Sequence, residues 1–317
     1  MKILITGGSG FIGTRLIDEL IKENHEIIIY DKMKSSKYPE LCIIDDVRNV
    51  DGLIKACKDV EIIYNLAAEH ADNVTPLSLY ADVNVGGAEN IIKAAKENNI
   101  KKIIFTSSVA IYGLNRGTPH EGMEAQPFNE YGRTKYDAEK LFLTWQKEDK
   151  DNNLQIVRPA VVFGEENRGN VYNLINQIST GKFAMIGDGE NKKSMGYVGN
   201  IAKFLCILKE SDKKLDIFNF AGKNDLSTKE IVETVREELG IKKSFLKIPY
   251  SVGILAGFVF DILSKLTGKK FPVSVVRIQK FAAETTVSTK HLFESGFEEP
   301  YTLKDGLKNM IKYEFKK

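Results

Sequence analysis

The stretch Lys2-Ile3-Leu4-Ile5-Thr6-Gly7-Gly8-Ser9-Gly10-Phe11-Ile12-Gly13 reads as a buried parallel strand, a glycine turn and the start of a helix whose apolar periodicity runs from Thr14 to Lys22. Glycines in such a turn let the backbone approach a pyrophosphate at the helix N-terminus, where free N–H groups and the helix dipole favour anions. The turn alone is a weak signal. Its context strengthens it: Glu26 to Tyr30 reads as a second strand, and Asp31 at its end stands where a carboxylate meets the ribose of an adenosine. Asp31 would accept hydrogen bonds from the ribose hydroxyls and repel a 2′-phosphate, which points to NAD rather than NADP.

The same alternation continues outward. Leu41 to Ile44 reads as a third strand, followed by Asp46 and Val47, which either edge an adenine ring or cap the helix starting near Val50. Glu61 to Leu66 is a fourth strand, and Ala67-Ala68 beyond it are small enough for a dinucleotide to cross the sheet edge. Asn84, Val85 and Gly86-Gly87 open a long helix to Lys96, and Lys102 to Thr106 is a fifth strand. Strands alternating with helices predict an α/β fold with a doubly wound parallel sheet, whose ligands gather at the carboxyl ends of the strands. Ser108, just after the fifth strand, and Tyr131, early in the next helix, both fall there.

In Tyr131-Gly132-Arg133-Thr134-Lys135 one helical turn separates phenol from ammonium, so both emerge on one face. A free tyrosine, with a pKa of about 10, is too weakly acidic to act as a base at neutral pH. A lysine cation one turn away, and any cationic cofactor ring nearby, would favour the phenolate. Tyr131 is then a candidate to take a proton from a sugar or alcohol hydroxyl.

Composition sets the bounds. The 317 residues exceed one average domain yet suit a single nucleotide-binding fold with a smaller lobe. A net charge of +2, with the charges dispersed, gives no basic field for nucleic acid. Cys42, Cys57 and Cys206 are odd in number and scattered, which suits reduced thiols in a cytosolic compartment. His25, His70, His120 and His291 show no metal-ligand spacing, so no metal is expected. Met1-Lys2 runs straight into an apolar strand, which reads as fold rather than signal peptide.

The glycine turn, Asp31, Asn65-Leu66-Ala67-Ala68, Ser107-Ser108-Val109-Ala110-Ile111-Tyr112-Gly113, the Tyr131/Lys135 pair and Arg158-Pro159 together resemble the extended short-chain dehydrogenase/reductase family, in its sugar epimerase branch. The resemblance covers nearly the whole chain and implies a Rossmann-type sheet with bound NAD. It implies that Tyr131 is the acid/base and that Lys135 holds the nicotinamide ribose and lowers the tyrosine pKa. Ser108 would hydrogen-bond the reacting hydroxyl, with Ser107 as the alternative. Gly7, Gly10, Phe11, Ile12, Gly13, Asp31, Asp46, Val47, Leu66, Ala67, Ala68, Lys135 and Pro159 would line the cofactor. Relatives that dehydrate sugars carry an Asp-Glu pair where this chain has Val109-Ala110, and apolar side chains cannot supply the extra acid and base. Relatives commonly dimerise through helices corresponding to Asn84 to Lys96 and Tyr131 to Gln146, which implies a homodimer.

Beyond Arg158 the chain changes character. Residues 1–160, with 197–222 returning, are expected to form the NAD-binding domain; 161–196 and 223–317 are expected to form the substrate lobe. Relatives set an asparagine at the helix start occupied by Asn170 against the substrate diphosphate. They often carry an arginine at the place of Lys193, where lysine can neutralise phosphate only as a point charge. Arg277 is carried with these two as a candidate substrate contact. Val161 replaces the asparagine that many epimerases carry, which weakens the case for a nucleotide on the substrate. Ile248 to Leu266 is almost wholly apolar from Val252 to Phe260, and is flanked by Lys247, Lys265, Lys269, Lys270, Phe271-Pro272, Arg277 and Lys280. The sequence reads it as too short and too interrupted to span a bilayer; buried core and a membrane-interface element both remain open.

This lobe is similar to that of bacterial epimerases that interconvert N-acetylglucosamine and N-acetylgalactosamine on undecaprenyl diphosphate in surface-polysaccharide (O-antigen type) assembly. The resemblance implies a cytoplasmic isomerase acting by transient C4 oxidation, peripheral on the inner face of the cytoplasmic membrane. The alternatives are a soluble UDP-N-acetylglucosamine 4-epimerase, a net sugar dehydrogenase or reductase, and a NAD-sensing protein without catalysis.

Overall fold

The computed structural model describes residues 1–71, 74–242, 245–269 and 274–316, and for Lys280 the backbone alone. Two compact units emerge. The first comprises Met1–Val162, Gly196–Ala221 and Val287–Pro300; the second holds Phe163–Met195, Gly222–Thr286 and the chain from Tyr301 onward.

The first unit is built on seven parallel strands: β1 (Lys2–Thr6), β2 (Glu26–Asp31), β3 (Cys42–Ile44), β4 (Ile62–Asn65), β5 (Lys102–Thr106), β6 (Asn153–Pro159) and β7 (Leu215–Phe220). Their order across the sheet is β7-β6-β5-β4-β1-β2-β3. The strands are apolar on both faces because both are covered. Ile3, Ile5, Ile29, Tyr64, Ile104 and Val157 point to one layer, with Leu16 and Ile17 of the helix Phe11–Ile21 and Ile201 and Phe204 of the helix Val198–Leu208. Leu4, Tyr30, Ile63, Phe105 and Ile156 point the other way, onto Leu53, Ile91, Phe142 and Trp145 of the helices Val50–Ala56, Gly86–Glu97 and Glu130–Glu148. The order reverses at β1, with β2 on one side and β4 on the other, and a ligand crevice belongs at the carboxyl ends there.

Four local expectations change. Pro39–Leu41 forms a 3₁₀ turn, so β3 begins at Cys42. Asn49 caps the helix at Val50, its side chain accepting from Gly52 N–H at 3.2 Å. Asn84 does not open a helix; it closes the short helix Leu79–Asn84, and the next begins at Gly86. The segment Val287–Pro300, expected in the smaller lobe, belongs to the first unit. Its apolar positions explain why: Leu292 is fully buried, Phe297 packs on Phe204 with centroids 5.0 Å apart, and the His291 ring stacks on Phe218 at 4.8 Å.

The second unit packs three amphipathic helices, Asn170–Ser179, Thr228–Leu239 and Leu303–Phe315, around Ile175, Val235, Leu307 and Met310. Capping boxes at Ser227/Glu230 and Thr302/Asp305 start two of them, and Gly240 in the left-handed region ends one. Short strand pairs join Ala184–Ile186 to Leu246–Ile248 and Lys192–Lys193 to Leu226–Ser227.

The apolar segment forms the helix Tyr250–Thr267, in which only Gly253 and Gly257 are buried. A Cβ on Gly253 would lie 2.8 Å from Ile186, and one on Gly257 would lie 2.8 Å from the backbone nitrogen of Val275. The glycine face therefore seats on the strand Ala184–Ile186 and the helix Val275–Ala282, and the Asp261 carboxylate accepts from Val275 N–H at 3.1 Å. The rest of the surface is open: Leu255, Phe258 and Leu266 are 66%, 58% and 77% exposed. Within this chain the segment is not core. By length and composition alone its 18 residues would suffice to cross a membrane. Lys270 and Phe271-Pro272 lie outside the described residues, as does the side chain of Lys280.

Candidate active site

The glycine turn is shaped for close approach. Gly7 has φ +71°, and a Cβ there would fall 2.6 Å from the backbone nitrogen of Ala67. A Cβ on Gly13 would fall 2.6 Å from Gly8 Cα, so the helix Phe11–Ile21 can begin hard against the turn. Gly10 brings no side chain to cap that helix. The N–H groups of its first turn, at Phe11, Ile12 and Gly13, are thus available to an anion. Asp31 is set by the same turn: one carboxylate oxygen accepts from Ser9 N–H at 3.0 Å and the other from Met33 N–H at 2.9 Å.

Rungs of side-chain bonds fix the neighbouring strand ends. Thr6 donates to Asn65 Oδ1 at 2.9 Å, and Thr106 to the Asn65 carbonyl at 3.1 Å. Asn84, which sequence reading used only as a helix start, is buried and ties two parts of the site. It accepts from Glu69 N–H at 2.8 Å and donates to Thr134 Oγ1 at 3.0 Å, so the segment Leu66-Ala67-Ala68-Glu69 is linked to the helix of Tyr131. A buried asparagine amide needs partners on several elements, and nothing local in the sequence marks these.

Asn129 caps the helix Glu130–Glu148, accepting from Gly132 N–H at 2.8 Å. A Cβ on Gly132 would lie 2.6 Å from the carbonyl oxygen of Ala110, so glycine lets this helix close onto the 3₁₀ turn Val109–Tyr112. Ser108 and Tyr131 are thereby brought near each other at the strand end. Burial pushes the Tyr131 phenol above its usual value, and the Ser108 hydroxyl works against that. The Lys135 ammonium lies over the Phe105 ring, 4.4 Å from its centroid. Lys135 is 2% exposed, and burial pulls its ammonium down to about 7 while the Glu139 charge opposes the fall. Ser107 is also buried, and among the described residues its hydroxyl has no partner.

Two of the expected cofactor residues have partners within the chain. The Asp46 carboxylate pairs with Arg48, at 2.9 Å to Nε and 2.8 Å to Nη2, and this pairing holds its carboxyl below the usual range. Val47 is buried against Gly87, with its carbonyl accepting from Asn90 at 3.0 Å, so its side chain belongs to the core. Pro159 ends β6. Arg158 before it turns into the protein, donating to Glu139 at 2.9 and 2.6 Å and to the Tyr112 hydroxyl at 2.8 Å.

The substrate candidates of the second unit sit on separate elements. Asn170 is exposed at the first position of the helix Asn170–Ser179. Lys193 is half-buried on its short strand; its ammonium is bonded to the Ala283 carbonyl, and burial lowers its pKa against the charge of Glu284. Arg277 is exposed on the helix Val275–Ala282, and its N–H is capped by Ser274 at 3.3 Å.

In the first unit, a glycine cradle that a Cβ would fill, an uncapped helix start, a fixed carboxylate, an orphaned buried hydroxyl and a buried ammonium fit a dinucleotide with a sugar hydroxyl beside it. A family model described as the NAD dependent epimerase/dehydratase family matches residues 3–221. The chain is 46% identical over 316 residues, 99% of this chain and 95% of that protein, to the N-acetyl-α-D-glucosaminyl-diphospho-ditrans,octacis-undecaprenol 4-epimerase of Escherichia coli O157:H7. It is 27% identical to the UDP-glucose 4-epimerase of Vibrio cholerae, over 97% of this chain and 93% of that protein. Among solved structures, the UDP-glucose 4-epimerase of Thermotoga maritima with UDP-glucose superposes with a TM-score of 0.78 at 22% identity, covering 99% of this chain and 98% of that one. That likeness shows the fold.

Proposed function

The chain belongs to the NAD dependent epimerase/dehydratase family, and from that premise we propose that it is a 4-epimerase interconverting N-acetylglucosamine and N-acetylgalactosamine on undecaprenyl diphosphate. The observation that carries the chemistry is the close seating of the Tyr131 helix on the turn after Ser108, through Gly132 against Ala110, with Lys135 buried one turn behind. Tyr131 Oη takes the proton of the sugar's 4-hydroxyl and later returns one to the 4-oxygen. Ser108 holds that oxygen, and Lys135 holds the nicotinamide ribose with a charge that water does not screen. NAD is the cofactor, and when bound it supplies the acceptor and then the donor of the C4 hydride. The glycine turn, Asp31 and Ala67-Ala68 hold it. Between the two transfers the 4-keto sugar turns over while its diphosphate stays anchored, for which Asn170, Lys193 and Arg277 are the proposed contacts.

The lipid-linked substrate is supported by the name of the Escherichia coli relative and by the helix Tyr250–Thr267. Its open apolar face lies beside the exposed cations Lys247, Lys265, Lys269 and Arg277. Fully burying one large apolar side chain contributes about 1.5–3 kcal/mol, and anionic headgroups attract lysine and arginine near a membrane surface. This reading places the enzyme at the cytoplasmic face of the membrane, lying on the bilayer. The resemblance to relatives supports a homodimer through the helices Gly86–Glu97 and Glu130–Glu148, which sedimentation at graded concentrations tests. The deciding assay offers, in parallel, UDP-N-acetylglucosamine and N-acetylglucosamine on a polyprenyl diphosphate in detergent. Turnover of the lipid-linked sugar is expected; turnover of the UDP-sugar alone would return the protein to the soluble epimerases.

A further inference from the structure

The face that carries Tyr131 and Lys135 continues one turn further to Glu139, which is completely buried. Residues four apart on a helix are neighbours, so an unrestrained Glu139 carboxylate is within reach of the Lys135 ammonium. It does not pair there: among the described residues no carboxylate comes within 4.0 Å of Lys135, and the ammonium rests on the Phe105 ring. Both Glu139 oxygens are taken by Arg158, at 2.9 Å to Nε and 2.6 Å to Nη2. Arg158 is 5% exposed, and its remaining arm is fixed by the Tyr112 hydroxyl at 2.8 Å and the Glu121 carbonyl at 3.1 Å. Tyr112 in turn donates to Asn219 Oδ1 at 2.7 Å. The clamp therefore reaches from β6 through the 3₁₀ turn to β7.

We propose that Arg158 and Glu139 are positioning residues for Lys135: Arg158 holds the Glu139 carboxylate one turn away, near enough for its charge to keep the buried ammonium protonated and too far to occupy its donors. The three N–H bonds of Lys135 are thereby left for the cofactor ribose. The inference rests on the assignment of Tyr131 and Lys135 above. The other ionisable groups of this neighbourhood are Tyr131 on the same helix, Tyr80 on the helix Leu79–Asn84, and Tyr112. Burial raises the Tyr131 and Tyr112 phenols above their usual value, which leaves Glu139 and Arg158 as the fixed charges behind the lysine. The fall of the Lys135 ammonium to about 7, opposed by Glu139, has the sign this arrangement requires.

The test is a double-variant cycle on the full-length protein, assayed with the substrate it turns over. In Arg158→Met the freed carboxylate pairs with Lys135, and kcat is expected to fall about 100-fold. Adding Glu139→Gln removes the competing charge, and the double variant is expected to recover to within about tenfold of wild type. Glu139→Gln alone should move the alkaline limb of the kcat/KM profile to lower pH, because the lysine then loses its proton more easily. A merely structural ion pair gives neither result. If Arg158→Met does not fold, judged by near-ultraviolet dichroism and retained nicotinamide absorbance, the pH profile of Glu139→Gln decides. A double variant no faster than Arg158→Met, or a Glu139→Gln profile superimposable on wild type, overturns the proposal. Tyr131→Phe separates the two levels: an active Tyr131→Phe removes the assignment of Tyr131 and Lys135 on which the positioning role rests, whereas an inactive one with no rescue in the double variant removes only the positioning role.

Discussion

The helices Glu130–Glu148 and Tyr250–Thr267 invert each other. The first is rich in charge, yet it buries seven of its 19 residues, including Lys135 and Glu139. The second is nearly all apolar, yet it buries two of its 18, both glycine. Burying the Lys135 ammonium without a carboxylate partner among the described residues, and exposing Leu255, Phe258 and Leu266, each oppose folding, so neither pattern is explained by stability of the chain alone. Each becomes intelligible with a partner: a sugar and a cofactor for the first helix, a lipid surface for the second. Both helices are seated by glycines, Gly132 against Ala110 and Gly257 against Val275, so the same device brings one helix to the chemistry and leaves the other facing outward.

The contrast can be broken most sharply at Tyr131. Tyr131→Phe removes the proposed base and should lower epimerisation about 10³-fold or more while NAD stays bound, read by turnover against nicotinamide absorbance. A variant with near-normal rates would show that the buried charged face is not the reaction centre. On the other helix, Leu255→Asp with Phe258→Asp should cut binding to vesicles containing phosphatidylglycerol about 100-fold, measured by flotation. The melting temperature should hardly move, since both positions are exposed; a large drop would mean that the face is covered by protein, as in a second copy of this chain.

A smaller effect is expected at the glycine seat. Gly132→Ala puts a Cβ 2.6 Å from the Ala110 oxygen and should push Tyr131 from Ser108, lowering kcat about tenfold. An unchanged kcat would uncouple that close approach from catalysis. The smallest is a pH effect on stability. Lys135 has its pKa lowered in the folded state, from 10.5 to about 7, so between those values the unfolded chain binds more protons and stability rises with pH. From pH 7 to pH 8 the gain is about 1 kcal/mol, and Lys135→Met should remove it in urea titrations of the protein without added cofactor.

The candidate site was far more legible than its surroundings. Gly7, Asp31, Ser108, Tyr131 and Lys135 announce themselves because each carries a spacing that local backbone geometry imposes: a turn, a strand end, one helical turn. Asn84 gave no such signal, since its partners Glu69 and Thr134 are distant in the chain. The packing of the Val47 side chain against Gly87 gave none either, because the sequence cannot say which way a loop residue faces. The pairing of Arg158 with Glu139 was invisible for the same reason: the two lie 19 residues apart on different elements.

Sequence alone determined the alternation of strands and helices, the dinucleotide turn and the tyrosine–lysine pair, because periods of two and 3.6 residues and the demands of glycine are written locally. Only the tertiary structure decided which surfaces close. It put Val287–Pro300 with the first unit, drew Lys135 over Phe105, and left the apolar helix open on the face away from its glycines. An apolar helix reads the same in sequence whether its partner is core or bilayer; burial depends on what else the chain brings to that face, and here the chain brings only enough to cover the glycines.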